Sequence, residues 1–132
     1  MDANERVSVL DHECIAVFGG SGATGHEVVR LALRAGAELV LIDQNLPDET
    51  DRVEQVSYRG TDVLKDDLVQ AIEGCDAVIA ALGVAFSPSN AVSPPRLYTE
   101  GSANILGSME RAGIERIAVI SAAFVIDQPN FT

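Results

Sequence analysis

The stretch Ile15-Ala16-Val17-Phe18-Gly19-Gly20-Ser21-Gly22-Ala23-Thr24-Gly25-His26-Glu27-Val28-Val29 decides the fold. A short apolar run passes directly into glycines at 19, 22 and 25, and a segment of helical period begins at once. Each glycine answers a separate steric demand. Gly19 permits a tight turn out of a strand, Gly22 lets backbone approach a diphosphate with no Cβ in the way, and Gly25 lets the helix lie close on the sheet. The unpaired amides of the first helical turn, around Ala23, then face the phosphates. The positive end of the helix dipole adds roughly 0.3 to 1 kcal/mol per charge. Ser21 and Thr24 can add hydroxyl donors. A plain glycine-rich turn is the alternative, and the order strand, turn, helix, second strand favours a dinucleotide site over it. A nucleoside triphosphate P-loop needs Lys and then Ser or Thr after its last glycine; His26-Glu27 stands there and argues against it.

Outward from this turn, four short apolar runs read as buried parallel strands: Ile15 to Phe18, Leu39 to Ile42, Ala77 to Leu82 and Ile117 to Ile120. Gln55 to Arg59 alternates more and reads as a more exposed strand, third in chain order. Helical period fills the gaps. From Thr24 to Ala35 the inward face is Val28, Leu31, Ala32 and Ala35; Leu64, Leu68, Ala71 and Ile72 form a second stripe, and Ser102, Ile105, Leu106 and Met109 a third. Gly36-Ala37-Glu38, Gly74-Cys75-Asp76 and Gly113-Ile114-Glu115 repeat one grammar, a glycine C-cap, an acid two residues on, and then a strand. That junction is what a βαβ unit requires. The expected fold is α/β, a Rossmann-like doubly wound parallel sheet of about five strands in the order 3-2-1-4-5 with three main helices. Residues 1–14 read as a flexible tail, with weak edge pairing conceivable for Val7 to Leu10, and residues 15–132 as the nucleotide-binding domain. Ser87 to Pro95, with three prolines and three serines, reads as a long loop after the fourth strand, at the end of the sheet where ligands bind.

Length and composition bound the rest. The 132 residues suit one domain, and 47% apolar content supplies a core. Nine Lys and Arg against 20 Asp and Glu give a net charge of −11. Such a field repels polyanions, so nucleic acid is not an expected partner, while local amides can still hold a small phosphate. No apolar run approaches a membrane span and the N-terminus is too polar for a secretory signal, so a cytoplasmic protein without a membrane partner is expected. Cys14 and Cys75 make neither a disulfide framework nor a metal cluster; they read as two reduced, mostly buried thiols. Both precede strands expected to be neighbours, which leaves a stress-induced bridge as the alternative.

The second strand ends at Asp43, 18 residues past Gly25, close to where an acid accepts hydrogen bonds from the adenosine ribose. Asp43 would repel a 2′-phosphate, and Ala35 to Asp51 contains no Arg or Lys. NAD is therefore favoured, with NADP possible. The alternative for Asp43 is a turn residue ahead of Gln44-Asn45-Leu46-Pro47.

From about Ile15 to Phe124 the sequence resembles the atypical short-chain dehydrogenase/reductases, in particular the NmrA-like and biliverdin reductase B (flavin reductase)-like branch. Gly19-Gly20-Ser21-Gly22-Ala23-Thr24-Gly25 matches that branch's GxxGxxG turn, Gly60-Thr61-Asp62-Val63 its G-D-V segment, and Cys75 to Gly83 its fourth strand. Glu100-Gly101-Ser102-Ala103-Asn104-Ile105-Leu106 matches its E-G-x-x-N-I-[VL] helix, and Ser121-Ala122-Ala123-Phe124 is similar to its S-A-F with one extra residue. The resemblance implies that Asp62 contacts the adenine amino group, Val63 packs on the ring, and Ala81, Leu82 and Gly83 line the adenosine. It also implies that Ser121 sits beside the nicotinamide; a structural hydroxyl at a strand end is the other reading. Two departures stand out. Members that reduce biliverdin and flavins carry Arg where this chain has Asp43, and members continue well beyond Thr132, which suggests a minimal relative or a truncated product.

The resemblance implies an NAD(P)-binding oxidoreductase that passes a hydride from the nicotinamide to a small flavin, quinone or carbonyl acceptor. A non-catalytic dinucleotide-sensing module, as in some NmrA-like relatives, is the second reading. The Tyr-x-x-x-Lys dyad of classical members is absent: Tyr58 is followed four residues on by Asp62, Tyr98 by Ser102, and Lys65 is the only lysine. His12, in the tail, and His26, in the first helical turn, are not obvious general acids. The apolar fifth strand, Arg116 to Ile120, predicts an edge that self-associates into a homo-oligomer.

Overall fold

The computed structural model describes residues 8–19, 22–82 and 96–120. Their elements are β1 (Cys14–Phe18), α1 (Ala23–Arg34), β2 (Glu38–Asp43), β3 (Val56–Gly60), α2 (Val69–Ile72), β4 (Ala77–Ala80), α3 (Arg96–Ala112) and β5 (Ile117–Val119). All strand pairs are parallel and the order is β3-β2-β1-β4-β5, as the sequence implied. The alternation of side chains across the sheet splits the core in two. Ile15, Val17, Leu39, Leu41 and Val56 meet α1 on one face. Ala16, Phe18, Val40, Ile42, Val78 and Ala80 meet α2 and α3 on the other. β1 is buried on both faces because helices cover it on both, which is why it reads as an unbroken apolar run.

The three junction glycines adopt the left-handed conformation the C-caps demand, with φ of 91° at Gly36, 85° at Gly74 and 75° at Gly113. Each lets the chain reverse and re-enter the sheet within two to four residues. Ser8–Leu10 is a 3-10 turn, not an edge strand, and the Leu10 N–H donates to Ala35 O at 2.7 Å, tying this turn to the end of α1.

Four local readings change. The Leu64 to Ile72 stripe yields helix only over Val69–Ile72. The first half is a turn because Asp62 Oδ1 accepts from Leu64 N–H (2.9 Å), Asp66 Oδ2 from Asp62 N–H (2.7 Å) and Asp67 Oδ1 from Val69 N–H (3.0 Å). Such bonds compete with helical ones. On α1, Leu31 is 52% exposed, because the helix turns Val28, Val29, Ala32 and Leu33 inward instead. Leu106 on α3 is likewise 51% exposed; Ile105, Ser108 and Met109 carry that contact. β5 is no buried strand: Val119 is 62% exposed, with β4 its only strand partner among the described residues.

Candidate functional site

The carboxyl edge of the sheet brings most of the sequence-derived candidates into one row. One residue beyond each strand the ladder continues: Gly19 N–H donates to Ile42 O (3.0 Å), Thr61 N–H to Asp43 O (3.0 Å), Ala81 N–H to Phe18 O (2.8 Å) and Ile120 N–H to Ala80 O (2.9 Å). Gly60, Asp43, Gly19, Ala81 and Ile120 therefore stand side by side, about 4.8 Å apart from strand to strand. From this row the chain after β1 goes to one face, into α1, while α3 lies on the other. The crevice between them is the switch point where doubly wound sheets bind ligands.

Two glycines frame that crevice for different reasons. Gly19 has φ +80°, and a Cβ there would lie 2.9 Å from the carbonyl carbon of Ala81 and closer still to its oxygen. It is glycine because β1 and β4 converge. Gly22 has φ −78° and ψ 171°, backbone any residue adopts, and a Cβ on it would meet no described atom within 4 Å. Packing among the described residues does not demand glycine at 22. The space is a cradle that a methyl group would begin to fill, which is what close approach of a diphosphate requires.

Gly22 is also the N-cap of α1 and supplies no side-chain bond to the helix. His26 N–H donates to Gly22 O at 2.8 Å, so the amides of Ala23, Thr24 and Gly25 precede the first intrahelical bond and point out of the helix end. The first turn holds no acid that would offset the positive end of the dipole or compete with an anion there. Farther along, Glu27 is paired with Arg30 at 2.8 Å. The hydrogen bond and then the charge of Arg30 hold the Glu27 carboxyl below its ordinary range and neutralise the acid nearest the cradle. Gly25 is buried and Thr24 exposed. A pyrophosphate fits this donor set.

On the other side of Gly19, Asp43 closes β2 half-buried, and its Oδ1 accepts from Asn45 N–H at 3.1 Å. The turn-forming role is real, and it fixes the carboxylate at the edge, one strand from the glycine turn. The Gly60–Val63 segment follows β3. Asp62 uses Oδ1 on Leu64 N–H, which leaves Oδ2 without a partner among the described residues, and Val63 is buried. A Cβ on Gly101 of α3 would stand 3.3 Å from Val63 Cγ1 and 3.4 Å from Leu82 Cδ1. This helix thus packs tightly on both apolar side chains assigned to the adenosine.

Sequence reasoning missed what holds that wall. Asn104 Nδ2 donates to Val63 O (2.8 Å) and to Asp66 O (3.2 Å), clamping the Asp62 turn to α3. The signal was present: asparagine is a poor residue for the middle of a helix of 17 residues. Ser21, Gly83 and Ser121 lie outside the described residues, as does the Ser87 to Pro95 loop. His26 is exposed on the first turn of α1. Among the described residues no helix is long and apolar enough to cross a membrane.

A family model described as NAD(P)H-binding matches residues 19–132. Among solved structures, UDP-glucose 4-epimerase from Stenotrophomonas maltophila, with bound NAD and formylated UDP-arabinopyranose, superimposes with a TM-score of 0.71 at 20% identity over 85% of this chain and 38% of that one. An epimerase from Methanothermobacter thermautotrophicus gives a TM-score of 0.68 at 24% identity over 83% of this chain and 35% of that one. A short-chain dehydrogenase/reductase superfamily protein from Agrobacterium tumefaciens, with bound NAD, gives 0.64 at 24% identity over 81% and 32%. The chain spans between about a third and two-fifths of these structures, and the shared part is the fold.

Proposed function

Since the chain belongs to the NAD(P)H-binding family, we propose that it holds a nicotinamide dinucleotide along its carboxyl edge and serves hydride transfer to a small flavin, quinone or carbonyl acceptor. The observation that carries this reading is the pairing of an uncapped α1 N-terminus with open space at Gly22. The diphosphate lies on the amides of residues 22–25, with Gly19, Ser21 and Thr24 shaping the turn. The adenosine ribose is held by Asp43, and the adenine lies against Asp62, Val63, Ala81, Leu82 and Gly83. Asp43 selects NAD over NADP, because a 2′-phosphate would meet its carboxylate. The nearest following cation, Arg52, donates to Pro47 O (3.1 Å) and stacks 5.3 Å from the Tyr58 ring centre.

When bound, the nicotinamide supplies the hydride, and the chain's task is placement. Ser121, which directly follows Ile120, orients the nicotinamide amide or donates to the acceptor carbonyl. One observation favours a sensing module instead. Among the described residues, the strand ends of the carboxyl edge offer backbone amides, apolar side chains and carboxylates, and the nearby His26 and Lys65 are exposed on the first turn of α1 and in the Asp62 turn, not on a strand end. Thermal unfolding with NADH, NADPH and ATP tests the shared premise: NADH at about a hundred times Kd adds roughly 2.7 kcal/mol, a shift of several degrees. No shift with either dinucleotide removes both readings. If NADH binds, its oxidation on adding a flavin or quinone supports the enzyme, and binding without turnover supports the sensor.

A further inference from the structure

Two thiols meet at the amino edge of the sheet, the end opposite the amide cradle. Cys14 Sγ lies 3.4 Å from Cys75 Sγ, although the residues are 61 positions apart. The backbone sets this approach. Asp76 N–H donates to Cys14 O at 2.7 Å, and Asp76 Oδ2 accepts from Cys14 N–H at 2.8 Å, so Asp76 is the cross-strand neighbour of Cys14 and Cys75 its diagonal one. With strands about 4.8 Å apart and a rise of about 3.3 Å per residue, the diagonal puts the two Cα atoms roughly 5.8 Å apart, within the range a disulfide spans. Both side chains pack in the same core cluster and so leave the sheet on the same face. Neither has a part in the dinucleotide site.

We propose that Cys14 and Cys75 are a reversible disulfide pair that, once oxidised, staples the amino ends of β1 and β4. Exposure sets the order of events. Cys14 is half-buried and lines an open cavity of about 1100 Å³ at the amino edge, shared with His12, Arg34, Glu38 and Ser57, whereas Cys75 is buried. A small-molecule disulfide reaches Cys14 first. The Cys14 thiolate attacks one sulfur of that oxidant, a mixed disulfide forms, and one small thiolate leaves. Cys75, deprotonated, then attacks Cys14 Sγ; the protein disulfide forms and the second small thiolate leaves. The two protein thiols lose two electrons and two protons, and the oxidant becomes two thiols. In the reduced chain burial, with the neighbouring Cys14, pushes the Cys75 thiol up to about 12, so closure quickens as pH rises.

The test uses the full chain with glutathione disulfide, followed by unfolding in an alkylating reagent and intact-mass measurement. The expected product takes up no alkyl group and is lighter by two hydrogens. Its Tm is higher by on the order of 10 °C, because the staple closes a long loop of the unfolded chain, and dithiothreitol reverses the shift. Cys75→Ser should stop at a Cys14–glutathione adduct, and Cys14→Ser should show neither the adduct nor the Tm shift. Should Cys75→Ser fail to fold, the wild-type mass and Cys14→Ser still decide. Two alkylatable thiols after oxidation, a stable glutathione adduct on the wild type, cross-linked chains, or a Tm that does not rise on closure would each overturn the proposal.

Discussion

Replacing Gly22 by alanine separates a glycine kept for a ligand from one kept for the fold. Its backbone, φ −78° and ψ 171°, admits alanine without strain, and the new methyl meets no described atom within 4 Å. Restricting the unfolded chain gains about 0.4 to 1 kcal/mol, and the poorer N-cap costs up to a comparable amount, so stability should stay within about 1 kcal/mol of wild type. Binding should not escape. The methyl stands where the diphosphate approaches the amides, and losing one charge-assisted hydrogen bond of about 1.5 to 3 kcal/mol weakens NADH roughly tenfold to a hundredfold. Gly19→Ala is the counterpart. At φ +80° alanine costs roughly 1 to 2 kcal/mol, and its Cβ overlaps the Ala81 carbonyl, which adds overpacking of roughly 1 to 3 kcal/mol. That variant should lose on the order of 10 °C in Tm. Calorimetric titration with NADH beside thermal unfolding reads both quantities. A Gly22→Ala protein that binds NADH as tightly as wild type would refute the cradle.

Three further perturbations probe other parts of the molecule. Asp43→Arg should raise the affinity ratio of NADPH to NADH by at least about tenfold, worth about 1.4 kcal/mol; an unchanged ratio shows that Asp43 does not choose between the two coenzymes. Asn104→Ala removes the donors to Val63 O and Asp66 O, at a cost of about 1 to 3 kcal/mol, and should weaken NADH even at temperatures where the variant is fully folded. Intact binding there would make Asn104 a purely structural clamp. The Cys75 thiol, raised from 9.0 to about 12, stays protonated in the folded chain while the unfolded chain deprotonates. Its contribution is therefore fully present below pH 9 and is lost as pH rises toward 12. The slope is at most about 1.4 kcal/mol per pH unit, reduced by any solvent screening. The stability difference between wild type and Cys75→Ala, followed by denaturant titration across that range, should fall with pH; a flat difference contradicts the burial argument.

What the sequence made legible were features set by the backbone within a few residues. Gly36, Gly74 and Gly113 announced three helix ends because only a left-handed residue lets the chain turn back so soon, and their φ values agree. β1 and β2 showed as apolar runs because helices bury both their faces, whereas β4 is fully buried only on the face that carries Val78 and Ala80. Facing was less legible. Leu31 and Leu106 are apolar at helical spacing, yet each lies off the stripe by which its helix meets the core. On α1 buried Gly25 and Ala32 share that stripe, and Leu31 points about 100 to 120° away from it.

The segment where helix was expected and a turn is found ties fold to function most closely. A helix from Leu64 would have satisfied the apolar stripe. Instead Asp62, Asp66 and Asp67 spend their carboxylates on backbone amides, and Asn104 reaches across from α3 to hold two of the segment's carbonyls. Val63 O, Asp66 O and Val69 N–H, which a helix would have paired internally, are thus paired by side chains from two elements. The result is a rigid turn that starts beside Asp43 on the carboxyl edge and buries Val63 against α3 at Gly101. Local propensity loses to this network because five side-chain bonds of about 1 kcal/mol each exceed the few tenths per residue that helix preference offers. A dinucleotide site needs a wall for its adenine as much as a cradle for its phosphates, and here the wall is built by denying a helix its first turn.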